Sequence, residues 1–137
     1  MSADEHISRE QFQATLSGIG GSSYGRALRD PGCAAGMCGD ATGLMLEELG
    51  GRATGVAVPD PAVRRKMKPH PNVESLDDVL PTQMSHTVWE GNVEGTPTVV
   101  DWTARQFNPR ARVPEVVPSE RYHPRWQRRR DETELFG

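Results

Sequence analysis

The sequence is short of cysteine, of apolar runs and of any surplus of positive charge. Its two cysteines, Cys33 and Cys38, are too few for a disulfide framework or a Cys-rich zinc site, so a reduced protein is expected. The longest apolar stretches are Leu44-Met45-Leu46 and Val56-Ala57-Val58, far below the ~20 residues that span a bilayer. Residues 1–6 are polar and acidic, unlike a secretory signal. Sixteen Lys and Arg stand against 19 Asp and Glu, a formal net charge of -3, without the basic excess of a nucleic-acid binder. A soluble protein without a nucleic-acid or membrane partner is the expectation.

What the chain does hold is 14 Gly and 11 Pro with an apolar fraction of 35%, below the usual ~45–50%. Its length of 137 residues suits one loop-rich domain. Ile7, Phe12, Leu16 and Ile19 fall near helical spacing, and Ser8-Arg9-Glu10-Gln11 suits a first turn. Seven glycines between Gly18 and Gly39 predict an irregular loop, so residues 1–30 read as a helix followed by Gly-rich chain. The best helix follows, with Ala41, Met45 and Leu49 on one face and Leu44 widening it. Gly50-Gly51 stops it, and the same period puts Cys38 on the apolar face at its first turn.

Residues 52–58 predict a strand. Residues 59–81, with five prolines and the cluster Arg64-Arg65-Lys66, predict a surface excursion with a short helix at 75–80. Strands are expected at 83–90 and 98–102, joined by a hairpin, with an edge strand at 112–117. Tyr122 and Trp126 are expected to pack back on the body, while residues 119–137 read as a flexible tail.

The hairpin allows a geometric argument. A two-residue loop at Val93-Glu94 pairs Asn92 with Gly95 and, counting outward, His86 with Asp101. Facing residues have Cβ atoms ~4.5–5.5 Å apart, close enough for an imidazole–carboxylate bond. Trp89 and Trp102 then lie on the opposite, core face. A thiol at a helix N-terminus feels the positive end of the helix dipole, which favours thiolate. A histidine can take its proton and return it to a leaving group, and a carboxylate behind that histidine fixes the ring. Cys38, His86 and Asp101 are the candidate nucleophile, base and orienting acid.

Three segments carry a resemblance. Cys38-Gly39-Asp40-Ala41-Thr42-Gly43-Leu44-Met45-Leu46-Glu47-Glu48-Leu49 resembles the nucleophile helix of papain-fold enzymes, and Ser85-His86-Thr87-Val88-Trp89 their histidine strand. Asp101-Trp102-Thr103-Ala104-Arg105-Gln106-Phe107 is similar to the D-x-T-x-x-Q-F ending of bacterial papain-fold toxins, a group described as glutamine deamidases. The resemblance covers roughly residues 36–118. It implies an α+β fold with a small papain-like core, in which a central helix bears the nucleophile and packs on a short antiparallel sheet. It also implies a Cys38/His86/Asp101 triad that converts a protein glutamine to glutamate, a glutamine-bearing protein substrate, a neutralising immunity partner, and delivery into a target cell. No metal or organic cofactor is implied.

Papain-like proteases carry a glutamine six residues before the nucleophile as an oxyanion donor, and here that position is Gly32. The Cys38 backbone N–H is one donor and the second is unassigned. A thiol protease, a transglutaminase-like acyltransferase and a non-catalytic binding protein on the same frame are the alternatives. Cys33 is the rival nucleophile, although it is not expected to open a helix, and a Cys33/Cys38/His86 zinc site lacks a familiar spacing. Gln106 and Thr103 are read as supporting residues, Thr103 through a turn-stabilising hydroxyl. Phe107 is expected to pack under the hairpin, and His6, His70 and His123 to be solvated.

Overall fold

A computed structural model describes residues 6–34, 37–57, 85–106, 110–124 and 126–136. The chain runs β1 (His6–Ile7), α1 (Arg9–Gly21), α2 (Ser23–Ala27), α3 (Pro31–Ala34), α4 (Cys38–Leu49) and β2 (Arg52–Ala57). It continues through β3 (Ser85–Val93), β4 (Thr96–Asp101), a 3-10 turn (Ala104–Gln106), β5 (Glu115–Pro118), α5 (Ser119–Tyr122), β6 (Gln127–Asp131) and a last 3-10 turn (Thr133–Phe136). Helix and strand mix in an α+β arrangement. The strands form one sheet in the order β5-β4-β3-β2-β6, antiparallel throughout, with β1 added parallel to the turn end of β3.

The sheet separates two apolar layers. On one face Trp89, Val93, Val100 and Trp102 pack with Phe12 and Ile19 of α1 and with Ala41, Met45 and Leu49 of α4. On the other, Val56, Val88 and Val99 pack with Tyr122 and Trp126. Because side chains alternate along a strand, His86 and Glu90 share the second face with Val88. Leu44, expected on the buried stripe of α4, is instead 37% exposed, since it lies beyond the arc that meets the sheet.

Helix α1 starts where its spacing predicts, with Ser8 Oγ accepting from the Gln11 N–H at 3.1 Å. The expected irregular loop after it is a correction, because α2 and α3 occupy that stretch. Ser22 makes both ends: its N–H donates to Ile19 O to close α1, and its Oγ accepts from Gly25 N–H to open α2. Gly25 serves close approach here, since a Cβ at that position would sit 1.9 Å from Ile19 O.

The tail reading is also corrected. Residues 119–137 contain α5 and the edge strand β6, which pairs with β2. Glu132 N–H donates to Ala53 O at 2.8 Å, and Ala53 N–H donates to Thr133 Oγ1 at 2.9 Å, so this segment covers the otherwise open edge of β2. Tyr122 and Trp126 do pack back, stacked at 6.3 Å between ring centroids. The edge strand expected at 112–117 runs over Glu115–Pro118. The excursion at 59–81, with its short helix and His70, lies outside the described residues, as do Phe107 and the side chain of Gln106.

Candidate active site

The β3–β4 hairpin corrects the expected register by two residues. Its turn is Glu94-Gly95, with φ of 49° and 86°, and it pairs Val93 with Thr96 and Trp89 with Val100. Both central residues have positive φ, as in the type I′ turns that match strand twist, and Gly95 adopts this at no steric cost. Pro97 does not block the strand. It faces Asn92 next to the pair that closes the turn, and its outer side lies past the end of β5, so no ladder bond needs its missing N–H.

A shift of two residues keeps every side chain on its expected face, whereas a shift of one would reverse them. His86 and Asp101 therefore still meet, along a diagonal. His86 Nε2 lies 2.8 Å from Asp101 Oδ2, with both side chains buried. Asp101 Oδ1 accepts from Thr103 N–H at 3.0 Å and from Thr103 Oγ1 at 3.4 Å, which gives Thr103 the turn-stabilising role expected of it. Trp89 and Trp102 are buried on the opposite face, as expected.

Cys38 opens α4 and is half-buried. The helix is set against the start of β3 by Thr42, whose Oγ1 donates to Thr87 O at 3.4 Å. A side-chain hydrogen bond joins the thiol to His86, and the Thr87 backbone N–H donates to the sulfur. With Nε2 held by Asp101, the ring nitrogen left for the thiol is Nδ1. Trp126 closes the site from the other side, its ring 5.2 Å from that of His86 and tilted by 47°.

Burial pushes the Cys38 thiol up, but the bond and charge of His86 and the Thr87 N–H outweigh it and hold the pKa below its ordinary value. Burial lowers His86, yet the charge and bond of Asp101, then those of Cys38, raise it from 6.5 to about 10. Both shifts act in favour of a thiolate beside an imidazolium. That pair supplies a nucleophile and a proton donor at one point.

Cys33, the rival thiol, lies exposed within α3, away from this set of bonds. No group of three or more metal-ligating side chains exists among the described residues. Among them, too, no helix is long and apolar enough to cross a membrane. His6 is exposed, as expected. His123 is a correction: it is partly buried, with Nε2 3.2 Å from Glu90 Oε1 and Nδ1 donating to Trp126 O at 3.0 Å. Ser119 Oγ donates to the other Glu90 oxygen at 2.7 Å. The sequence carried no signal for the Thr87 N–H, a backbone group, or for Trp126 as a wall of the site.

No family model, curated protein or solved structure matches this chain. The geometry of the site has to carry the functional reading.

Proposed function

We propose that this protein is a cysteine-dependent amidohydrolase that converts a glutamine side chain of a protein substrate to glutamate, on a papain-like core. The observation that carries the reading is the line of three side chains: Cys38 at the start of a helix, His86 bonded to it, and Asp101 2.8 Å behind the ring. The resemblance of the Cys38, His86 and Asp101 segments to papain-fold deamidases supports the choice of substrate.

The Cys38 thiolate adds to the carboxamide carbon, and the carbonyl electron pair moves onto oxygen. Collapse expels the nitrogen, which takes a proton from the His86 imidazolium and leaves as ammonia. His86, now neutral, takes a proton from water as that water adds to the thioester. A second collapse releases the glutamate side chain and restores the thiolate and the imidazolium. Asp101 holds the ring and supports its positive charge throughout.

Incubation with a cell lysate, followed by mass spectrometry, tests the reading. Ammonia release and glutamine-to-glutamate conversion that are absent with Cys38→Ala are expected. New peptide termini dependent on Cys38 would identify a protease instead, and glutamine–amine adducts an acyltransferase.

A further inference from the structure

Thr87 is held at three points. The pairing of β3 with β4 begins at Trp89–Val100, so on that side of Thr87 helix α4 stands where a strand would. The Thr87 carbonyl accepts from Thr42 Oγ1 at 3.4 Å, and its N–H donates to the Cys38 sulfur. The third point is its side chain. Thr87 Oγ1 donates to Glu132 Oε1 at 2.7 Å, a short bond to a carboxylate. To make it, the Glu132 side chain lies over Gly55 of β2, the residue paired with Thr87. A Cβ at Gly55 would sit 2.8 Å from Glu132 Cδ, so any side chain there would displace the carboxylate. The Glu132 backbone is clamped in turn, its N–H donating to Ala53 O at 2.8 Å while Ala53 N–H donates to Thr133 Oγ1 at 2.9 Å.

We propose that Glu132 is a positioning residue for the Cys38 nucleophile, fixing Thr87 against α4 and with it the backbone N–H that donates to the sulfur. This rests on the reading of Cys38 as nucleophile. A backbone donor has no rotamer of its own, so its aim is set by the strand that carries it. At Thr87 that strand has β2 on one flank and a helix end on the other, and the bond to Glu132 ties it down from a third direction. A hydrogen bond weakens steeply once its angle opens, so a strand left free to shift would cost the sulfur a donor. By its charge alone a carboxylate disfavours a nearby thiolate, which gives the two possible influences of Glu132 opposite signs. The other groups that act on the sulfur are His86 and Asp101, with the Tyr24 phenol in electrostatic reach. All three stay in place in the variants below.

Iodoacetamide alkylation of Cys38, followed against pH in a Cys33→Ser background, tests this. The thiolate displaces iodide, so the pH of half-maximal rate reports the ionisation of the thiol. In Glu132→Ala and in Thr87→Val this half-point is expected to rise by about one pH unit, which slows alkylation about tenfold at any fixed pH well below it. Glu132→Gln keeps an acceptor oxygen without the charge and is expected to hold the half-point close to that of the parent. Thermal unfolding of each variant reports that it is folded. Should Glu132→Ala fail to fold, Thr87→Val, which keeps the β-branched shape, decides alone. An unchanged half-point overturns the proposal. A fall in Glu132→Ala, the sign of a lost negative charge, overturns it too, as does a rise in Glu132→Gln as large as that in Glu132→Ala. Cys38 alkylating no faster than Cys33 in the unsubstituted protein overturns the nucleophile reading itself, and the role of Glu132 with it.

Discussion

His86 Nε2 and Asp101 Oδ2 lie 2.8 Å apart, reaching diagonally between neighbouring strands of a hairpin. The other carboxylate oxygen is held by Thr103 N–H, so Asp101 is braced at both oxygens and cannot turn away from the ring. That brace fixes which imidazole nitrogen faces Cys38.

Replacing the carboxylate by an amide should preserve this packing while allowing the wrong tautomer. Asp101→Asn is expected to lower ammonia release on the order of 10³–10⁴-fold, whereas Cys38→Ala removes it. Single-turnover assays with unfolding curves for each variant check this. An Asp101→Asn variant as fast as the parent would show that the carboxylate has no part in the chemistry.

The pH dependence has two limbs. Cys38 alkylation is expected to reach half its maximum below the ordinary thiol value of 9.0, because the His86 bond and charge outweigh burial. Amide turnover, which needs the His86 proton, is expected to fall as pH passes about 10. Asp101→Asn takes away the largest influence raising His86, so its alkaline limb moves to lower pH. Rate profiles of both reactions decide this.

Stability carries the same signature. His86 is raised in the folded state, so the stabilisation it gains from Asp101 is full below about 6.5 and is lost as pH climbs towards about 10. Cys38, which is depressed, acts in the opposite direction and is lost as pH falls through its folded value. A Cys38→Ala background isolates the histidine. There the Tm should drop between these pH values, and adding Asp101→Asn should flatten the drop.

Two glycines of the first helices differ in sign. Gly25→Ala forces a Cβ onto Ile19 O and is expected to cost about 1–3 kcal/mol or more. Gly18→Ala, in helix α1 with nothing within 4 Å, is expected to add about 0.5–1 kcal/mol. Urea unfolding midpoints separate them.

Glu90 is buried between Ser119 and His123, and truncation leaves both without that carboxylate. Glu90→Ala is expected to cost about 1–3 kcal/mol, read from denaturant unfolding. A neutral result would mean that the pair adds nothing to the docking of α5.

The helix that Cys38 opens was legible because its signals are local. Ala41, Met45 and Leu49 recur at helical spacing, Gly50 ends the run, and Cys38 falls one turn back on the same face. The placement of His86 and Asp101 on one face was legible for a related reason. Strand side chains alternate with period two, so a turn misplaced from Glu94-Gly95 to Val93-Glu94 moved the pairing by two residues without changing the face. Chain neighbours alone set these features. The strand at Gln127–Asp131 and the His123–Glu90 pair are different in kind. An open edge on β2 selected the strand, and a buried carboxylate selected His123. Each depends on a backbone edge, a charge or a surface that exists only once distant parts of the chain have met, so tertiary packing decided them.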